Sequence, residues 1–381
     1  MTNPISFIDL AAQRDLIRTD LDAAIKRVVD HGAFILGPEV NEFEVELGKF
    51  AEVDHVVGCS NGTDALAMPL RVWGIGPGDA VFVPSFTFAA TAEIVTWFGA
   101  TPVFVDVDAA TCNMSLASLQ AAIQDVLQQG NLKPRVVIAV DLFGRLADYP
   151  RLRELCNQHG LYLVSDAAQG LGATSNGLQA GHWADVVTTS FFPAKPLGCY
   201  GDGGAVLTNN AELAEGLLSV RVHGKGKDKY DNVRIGMNAR LDTLQAAVLL
   251  QKLAVFPQEI IARNRIAAQY NALLGDIVQV PELSPQEVST WAQYTIVVHS
   301  MDRDELAERM RQSGVPTAVY YPRSLHQQTA YREFPCAPGG LPVSEALSAT
   351  VLSLPMHPYL SQSDQARVVS VLRQSVLRKA A

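Results

Sequence analysis

The chain has 381 residues, 48% hydrophobic and 18% charged, which is too long for one simple core and too apolar for a disordered chain. Thirty Lys and Arg against 39 Asp and Glu leave a net charge of −9, which argues against a nucleic-acid partner or an anionic-membrane surface. Any anionic ligand must then be met locally.

Met1 to Leu10 lacks the basic-then-apolar pattern of a targeting signal, since Asp9 interrupts its hydrophobicity. The longest apolar stretches, such as Val136–Val140, fall far short of the ~20 residues that span a bilayer, so a soluble chain is expected. Cys59, Cys112, Cys156, Cys199 and Cys336 are odd in number and carry no CxxC pair. Neither a disulfide framework nor a metal site is expected, and a reducing cytoplasm fits best.

In chain order, Leu21, Ile25, Val28 and Val29 predict one amphipathic helix, and Val40, Phe43, Leu47 and Phe50 a second after Gly37-Pro38. From about residue 53 short apolar runs alternate with turns and helical segments. The runs are Val56-Val57, Val81–Val83, Pro102–Val105, Val136–Val140, Leu161–Val164, Val186–Ser190 and Ala205–Thr208. Such nearly continuous runs predict strands buried on both faces of a mostly parallel sheet, so the class is α/β. Helical patterns follow at Leu241–Phe256, Asn264–Leu274, Arg303–Ser313 and Gln365–Leu377, with a strand at Tyr294–Val298. This predicts a large domain over 1–256 and a smaller α+β domain over 257–381.

In open parallel sheets the ligand crevice lies beyond the carboxyl ends of the strands. Three sequences fall there. Cys59-Ser60-Asn61-Gly62-Thr63-Asp64-Ala65 leaves a strand and enters a helix, which suits either a phosphate at the helix N-terminus or simple capping by Asn61 or Thr63. Asp166 ends the apolar run Leu161–Val164 and needs a cation or a cap, because a charge at a buried rim costs several kcal/mol unpaired. Lys195 sits between Pro193 and Pro196 before a glycine-rich return, Gly198 to Gly204, which presents it on a stiff loop. Each taken alone has an ordinary reading. Together they supply an amine for an aldehyde, an acid for a ring nitrogen and donors for a phosphate, which is what pyridoxal phosphate requires.

At these residues the sequence resembles the DegT/StrS-type sugar aminotransferases, a branch of the fold-type I, aspartate-aminotransferase-like enzymes. The resemblance spans essentially the whole chain. It runs through Phe7-Ile8-Asp9-Leu10, Ser60 to Leu66, Pro84 to Thr91, Asp166-Ala167-Ala168-Gln169, Ser190 to Lys195 and Asn238 to Ala247. It implies that Lys195 forms the Schiff base and moves the proton, and that Asp166 pairs with the pyridinium nitrogen. It further implies that Phe88 stacks on the ring, that Gln169 lies at the opposite face, and that Gly62, Thr63 and Ser190 hold the phosphate. Asn238 matches a residue that reaches the phosphate from a neighbouring subunit, which implies a homodimer with composite sites.

The implied reaction has two halves: L-glutamate converts the cofactor to pyridoxamine phosphate, which then aminates a keto-sugar nucleotide. Relatives with histidine at the lysine position remove a hydroxyl instead; Lys195 argues for transamination. The Ser190–Gly204 stretch and Arg240 to Gln245 look most like enzymes that aminate carbon 3 of UDP-2-acetamido-3-oxo-glucuronate for O-antigen sugars. Arg240 matches a substrate contact there, and a guanidinium fork suits a carboxylate. Relatives commonly show His-Tyr-Pro where this chain has Tyr320-Tyr321-Pro322, which leaves Tyr320 and Tyr321 on the sugar side with His326 as a substitute imidazole. The stretch from Arg221 to Arg234 holds five cations (Arg221, Lys225, Lys227, Lys229, Arg234) against Asp228 and Asp231, with His223, and offers positive charge to an acidic substrate.

Other readings are carried alongside. Carbon-4 amination of a 4-keto-6-deoxy sugar nucleotide and a non-catalytic regulatory homologue are the alternatives. A nicotinamide enzyme is disfavoured because Gly74-Ile75-Gly76-Pro77-Gly78 follows a helix and precedes a strand, the reverse of a dinucleotide turn.

Overall fold

The computed structural model describes residues 4–228 and 230–377. Three helices open the chain, α1 (Leu10–Leu16), α2 (Arg18–His31) and α3 (Pro38–Ala51). Helix α2 buries Leu21, Ala24 and Val28, whereas Val29, expected on that face, is 57% exposed because it lies a third of a turn beyond Val28.

The alternating region follows as β1 (His55–Cys59), α4 (Gly62–Val72), β2 (Asp79–Pro84), α5 (Ala90–Trp97), β3 (Thr101–Val105), α6 (Leu116–Gln129), β4 (Lys133–Val140), α7 (Tyr149–His159) and β5 (Tyr162–Asp166). A two-residue β6 (Thr174–Ser175), then β7 (Val186–Ser190), β8 (Gly204–Thr208) and α8 (Ala211–Arg221) complete it. Seven strands form one sheet in the order β1-β8-β7-β5-β4-β2-β3. Strands β3, β2, β4, β5 and β7 pair in parallel, and β8 runs antiparallel to both β7 and β1. The fold class is the expected fold-type I one: every strand but β8 ends at the same edge. Strand β2 is buried along its full length, which is why its residues read as a continuous apolar run between Asp79 and Pro84.

Beyond the sheet come α9 (Thr243–Leu274), β9 (Glu287–Val288), β10 (Tyr294–Val297), α10 (Arg303–Gln312), α11 (Pro342–Thr350), β11 (Val351–Leu354) and α12 (Gln362–Leu377). Strands β10 and β11 pair antiparallel. The two helices expected at Leu241–Phe256 and Asn264–Leu274 are one 32-residue helix, with Pro257 inside it, so the expected boundary at 256 falls mid-helix. Phe256 and Ile260 pack with the sheet's core, while Ile266, Tyr270 and Leu274 pack with β10, β11 and α12. One face of α9 therefore serves two cores in succession. Ile5, from the chain's start, is buried in the second.

Among the described residues no helix is long and apolar enough to cross a membrane. All five cysteines are free thiols.

Candidate active site

The shared strand edge gathers the three sequences singled out above. Asp166 is the last residue of β5 and pairs across to Thr188, while Ser190, the last of β7, lies opposite Gly204, which also lies opposite Cys59 at the end of β1. The turn after Cys59 then delivers Gly62 as the first residue of α4. A Cβ on Gly62 would lie 2.5 Å from the Ser190 Cβ, so only glycine lets the start of α4 sit against the end of β7. Asn61 does cap the helix, its Oδ1 accepting from the Asp64 N–H at 2.8 Å. Capping and phosphate binding are compatible here, because the first-turn N–H groups of Gly62 and Thr63 have no partner within the helix.

These residues open onto a cavity of about 670 Å³. Gly62, Thr63, Asp166, Gln169, Ser190 and Lys195 line it, with Phe88, Tyr320 and Tyr321 on its other sides. Phe88 is 58% exposed and its ring centroid lies 6.2 Å from that of Tyr321, so it presents a largely free face to the cavity. Gln169 is held at both ends: its Oε1 accepts from the Phe143 N–H at 2.7 Å, and its Nε2 donates to the Tyr321 hydroxyl at 3.2 Å. Burial pushes the Tyr321 phenol well above its ordinary value, with Asp166 adding to the push, so it enters the site protonated.

Asp166 is 6% exposed. Its carboxylate accepts from the Thr91 hydroxyl at 3.0 Å and the Ala168 N–H at 3.2 Å. Burial raises its pKa; those two donors and the charge of Lys195 oppose the rise. Burial lowers the pKa of Lys195, and Asp166 pulls it back up. Each group thus tempers the other's desolvation, and a lysine with a depressed pKa is the one that attacks carbonyls.

Four expected residues do not join this cavity within the chain. Arg240 donates from Nη2 to the Asn238 Oδ1 at 2.5 Å, and this pair is solvent-facing and absent from the lining. His223 is exposed, bonded through its backbone N–H to the Met237 carbonyl. His326 is engaged elsewhere: Nδ1 meets the Ser85 hydroxyl at 2.7 Å and Nε2 meets Glu345 at 3.1 Å, which ties β2's exit to α11. The cationic stretch is also thinner than its composition suggests. Arg221 is buried and paired with Glu44 at 2.6 Å, and Lys229 lies outside the described residues.

The structure adds residues the sequence did not single out. Thr91, through its bond to Asp166, and Ile8, which lines the cavity, lie inside motifs noted only for their likeness; Trp97 and Gln293 line the cavity with no sequence signal that marks them.

An amine and a buried carboxylate at the strand ends, beside a helix N-terminus that glycine alone can bring up to a serine, define a site for a phosphate-bearing aldehyde cofactor. The residues present fit pyridoxal phosphate. Nothing among the described residues hydrogen-bonds the Lys195 amine, and the Gly62 cradle leaves backbone donors for a phosphate. Asp166 supplies an anion beside which a ring nitrogen would stay protonated.

Comparison with known proteins agrees. The model of the DegT/DnrJ/EryC1/StrS aminotransferase family matches residues 15–373. The chain is 42% identical to the UDP-2-acetamido-2-deoxy-3-oxo-D-glucuronate aminotransferase of Pseudomonas aeruginosa, over 93% of this chain and 96% of that one. Among solved structures, a DegT DnrJ EryC1 StrS aminotransferase from Brucella abortus superposes with a TM-score of 0.96 at 55% identity, covering 97% of this chain and 99% of that one. The S. venezuelae protein DesV, solved with a ketimine intermediate, superposes with a TM-score of 0.93 at 38% identity over the full length of both. The chain belongs to the DegT/DnrJ/EryC1/StrS aminotransferase family. Its cofactor is pyridoxal phosphate.

Proposed function

We propose that this nucleotide-sugar aminotransferase moves the amino group of L-glutamate to carbon 3 of UDP-2-acetamido-2-deoxy-3-oxo-glucuronate, in the cytoplasm, as a step toward a surface polysaccharide such as O-antigen. The observation that carries the reaction type is the convergence of Lys195 and Asp166 on one cavity at the strand ends. The 42% identity to the Pseudomonas aeruginosa enzyme supports the choice of sugar.

When bound, the cofactor supplies an electron sink for the carbon that loses its proton. The chain's residues do the rest. Lys195, with its depressed pKa, takes and returns that proton from one position in both halves. Asp166 would hold negative charge beside the ring nitrogen, fixed by Thr91 and Ala168 so that it needs no reorganisation. Gln169, braced between Phe143 and Tyr321, fixes one wall and keeps Tyr321 as a donor. Gly62, Thr63 and Ser190 anchor the phosphate end.

Asn238 and Arg240 enter through a second copy of the chain. They face solvent as a bonded pair on the segment that bridges Val222, outside this chain's own cavity, which leaves them free to meet a second copy. In that arrangement Asn238 reaches the phosphate and Arg240 the uronate carboxylate, so the working enzyme is a homodimer.

The test compares turnover of 3-oxo and 4-oxo nucleotide sugars, with and without Arg240→Ala. The 3-oxo uronate is expected to be the better substrate, and Arg240→Ala is expected to raise its KM by roughly 10- to 100-fold, as loss of a bidentate charge pair does. Equal losses on a neutral hexose would remove the carboxylate role. Preference for the 4-oxo sugar would move the assignment to carbon 4, and failure of glutamate to aminate the bound cofactor would leave a regulatory homologue.

A further inference from the structure

The loop that carries Lys195 is held by its own backbone at both ends. The Phe191 N–H donates to the Gly203 carbonyl at 2.7 Å, the Cys199 N–H donates to the Phe191 carbonyl at 2.8 Å, and the Lys195 N–H donates to the Phe192 carbonyl at 2.8 Å. At its return the loop is packed to contact. A Cβ on Gly198 would lie 2.6 Å from the Pro193 carbonyl oxygen and 2.7 Å from that of Phe192, so Gly198 rests directly on the two residues that lead into Ala194-Lys195.

A charged side chain from α9 touches this return. Lys252 is 1% exposed, and its Nζ donates to the Gly198 carbonyl at 2.6 Å. The same ammonium lies 4.5 Å from the centroid of the Tyr200 ring. One turn-pair earlier on α9, the Gln245 Oε1 accepts from the Tyr200 N–H at 2.8 Å. The helix therefore grips residues 198–200 twice, and the grip at Gly198 is cationic.

A buried ammonium is an expensive way to fill space, since a methionine of similar volume would avoid its desolvation. Among the described residues no carboxylate pairs with the charge. Glu259 and the Cys199 thiol act on it only at longer range, and burial pushes its pKa down to about 8. What the ammonium gains in return is one short bond to the carbonyl at the loop's return.

We infer that Lys252 is a positioning residue for transamination: its bond to the Gly198 carbonyl fixes the return of the 191–203 loop and, through the contact of Gly198 with Phe192 and Pro193, sets where the Lys195 amine stands relative to Asp166. It touches neither substrate nor cofactor. The inference rests on Lys195 carrying the reaction and not on which sugar is aminated.

The test uses the holoenzyme with Lys252→Met, which keeps the volume and removes the donor and the charge. Two quantities are read: the single-turnover rate of amino transfer from glutamate to the bound cofactor, and the pH midpoint of the cofactor's visible absorption band. The midpoint reports the surroundings of Lys195, and a merely structural role would leave it unmoved. The variant is expected to bind cofactor, to keep its glutamate KM within about twofold, and to lose roughly 10- to 100-fold in rate with a displaced midpoint, as a misplaced reacting group does. A wild-type rate and midpoint would overturn the proposal, as would a lower melting temperature with both unchanged. Should the methionine chain not fold, Lys252→Leu, which likewise removes the donor and the charge, is read in the same way, and wild-type values there overturn the proposal equally. If glutamate proves not to be the donor, the rate is lost as a readout for every form including the wild type, and the midpoint alone decides on Lys252.

Discussion

Asp166 shows what one side chain needs in order to work at a sheet edge. Burial favours its neutral form; Thr91, Ala168 and Lys195 oppose that and favour the anion. Asp166→Asn keeps the shape and removes the charge. It is expected to slow amino transfer from glutamate by roughly 10²- to 10³-fold, the scale of a lost preorganised electrostatic contact, with a much smaller change in cofactor affinity. Rapid-scan absorbance measures the first and cofactor titration the second. Equal losses in both would mean that Asp166 anchors the cofactor rather than activating it. Lys195 and Asp166 were legible in the sequence because each breaks a local pattern, a charge closing an apolar run and a lysine locked between prolines. Thr91 was not, since a threonine at the start of a helix has many ordinary uses and its partner is 75 residues away. His326 misleads for the converse reason: its imidazole is taken up by Ser85 and Glu345, neither of which its spacing could reveal.

Secondary structure was legible where burial is two-sided and long. All seven strands of the sheet stand out in the sequence, because each is buried over most of its length. The smaller unit hid three elements, the two-residue β9, α11 and β11. Strand β11 is only Val351–Leu354, with a serine among its four residues, and α11 buries little beyond Ser344, Leu347 and Ser348. Helix α9 was read as two because its outer face breaks the pattern near Pro257, yet its inner face runs on without interruption. The proline falls fifteen residues in, where Phe256 on one side and Ile260 on the other are already packed, so tertiary contact outweighs the lost helical bond. Phe256 is the largest anchor of the sheet core on this helix, fully buried with its ring centroid 5.4 Å from that of Phe50. Phe256→Ala is expected to cost about 3–5 kcal/mol. Because α9 continues into the second core, denaturant unfolding followed by fluorescence and by circular dichroism should shift together. A shift in only one probe would show the two cores unfolding apart.

At the scale of the whole molecule, the acidic balance meets the sheet in one buried carboxylate next to the site. Asp141 follows β4, is fully buried, and accepts from the Ala147 N–H at 2.9 Å, the Tyr149 hydroxyl at 2.8 Å and the Ser165 hydroxyl at 2.9 Å. Those donors favour its anion, but burial outweighs them and the charge of Asp166 adds to burial, which pushes Asp141 up to about 7. In the unfolded chain an aspartate titrates near pH ~3.9, so between that value and about 7 the folded protein binds a proton that the unfolded chain does not. Stability from this group is then fully present below pH ~4 and is lost as pH rises through the folded value. Asp141→Asn carries no such proton and can keep all three contacts, its amide facing a Ser165 hydroxyl that turns to accept. Melts of both forms at pH 5 and pH 8 are therefore expected to show the variant gaining on the wild type by roughly 2.5 kcal/mol across that interval. A constant difference at the two pH values would mean that Asp141 is ionised throughout, with its three donors outweighing burial, and that the negative charge beside Asp166 is permanent.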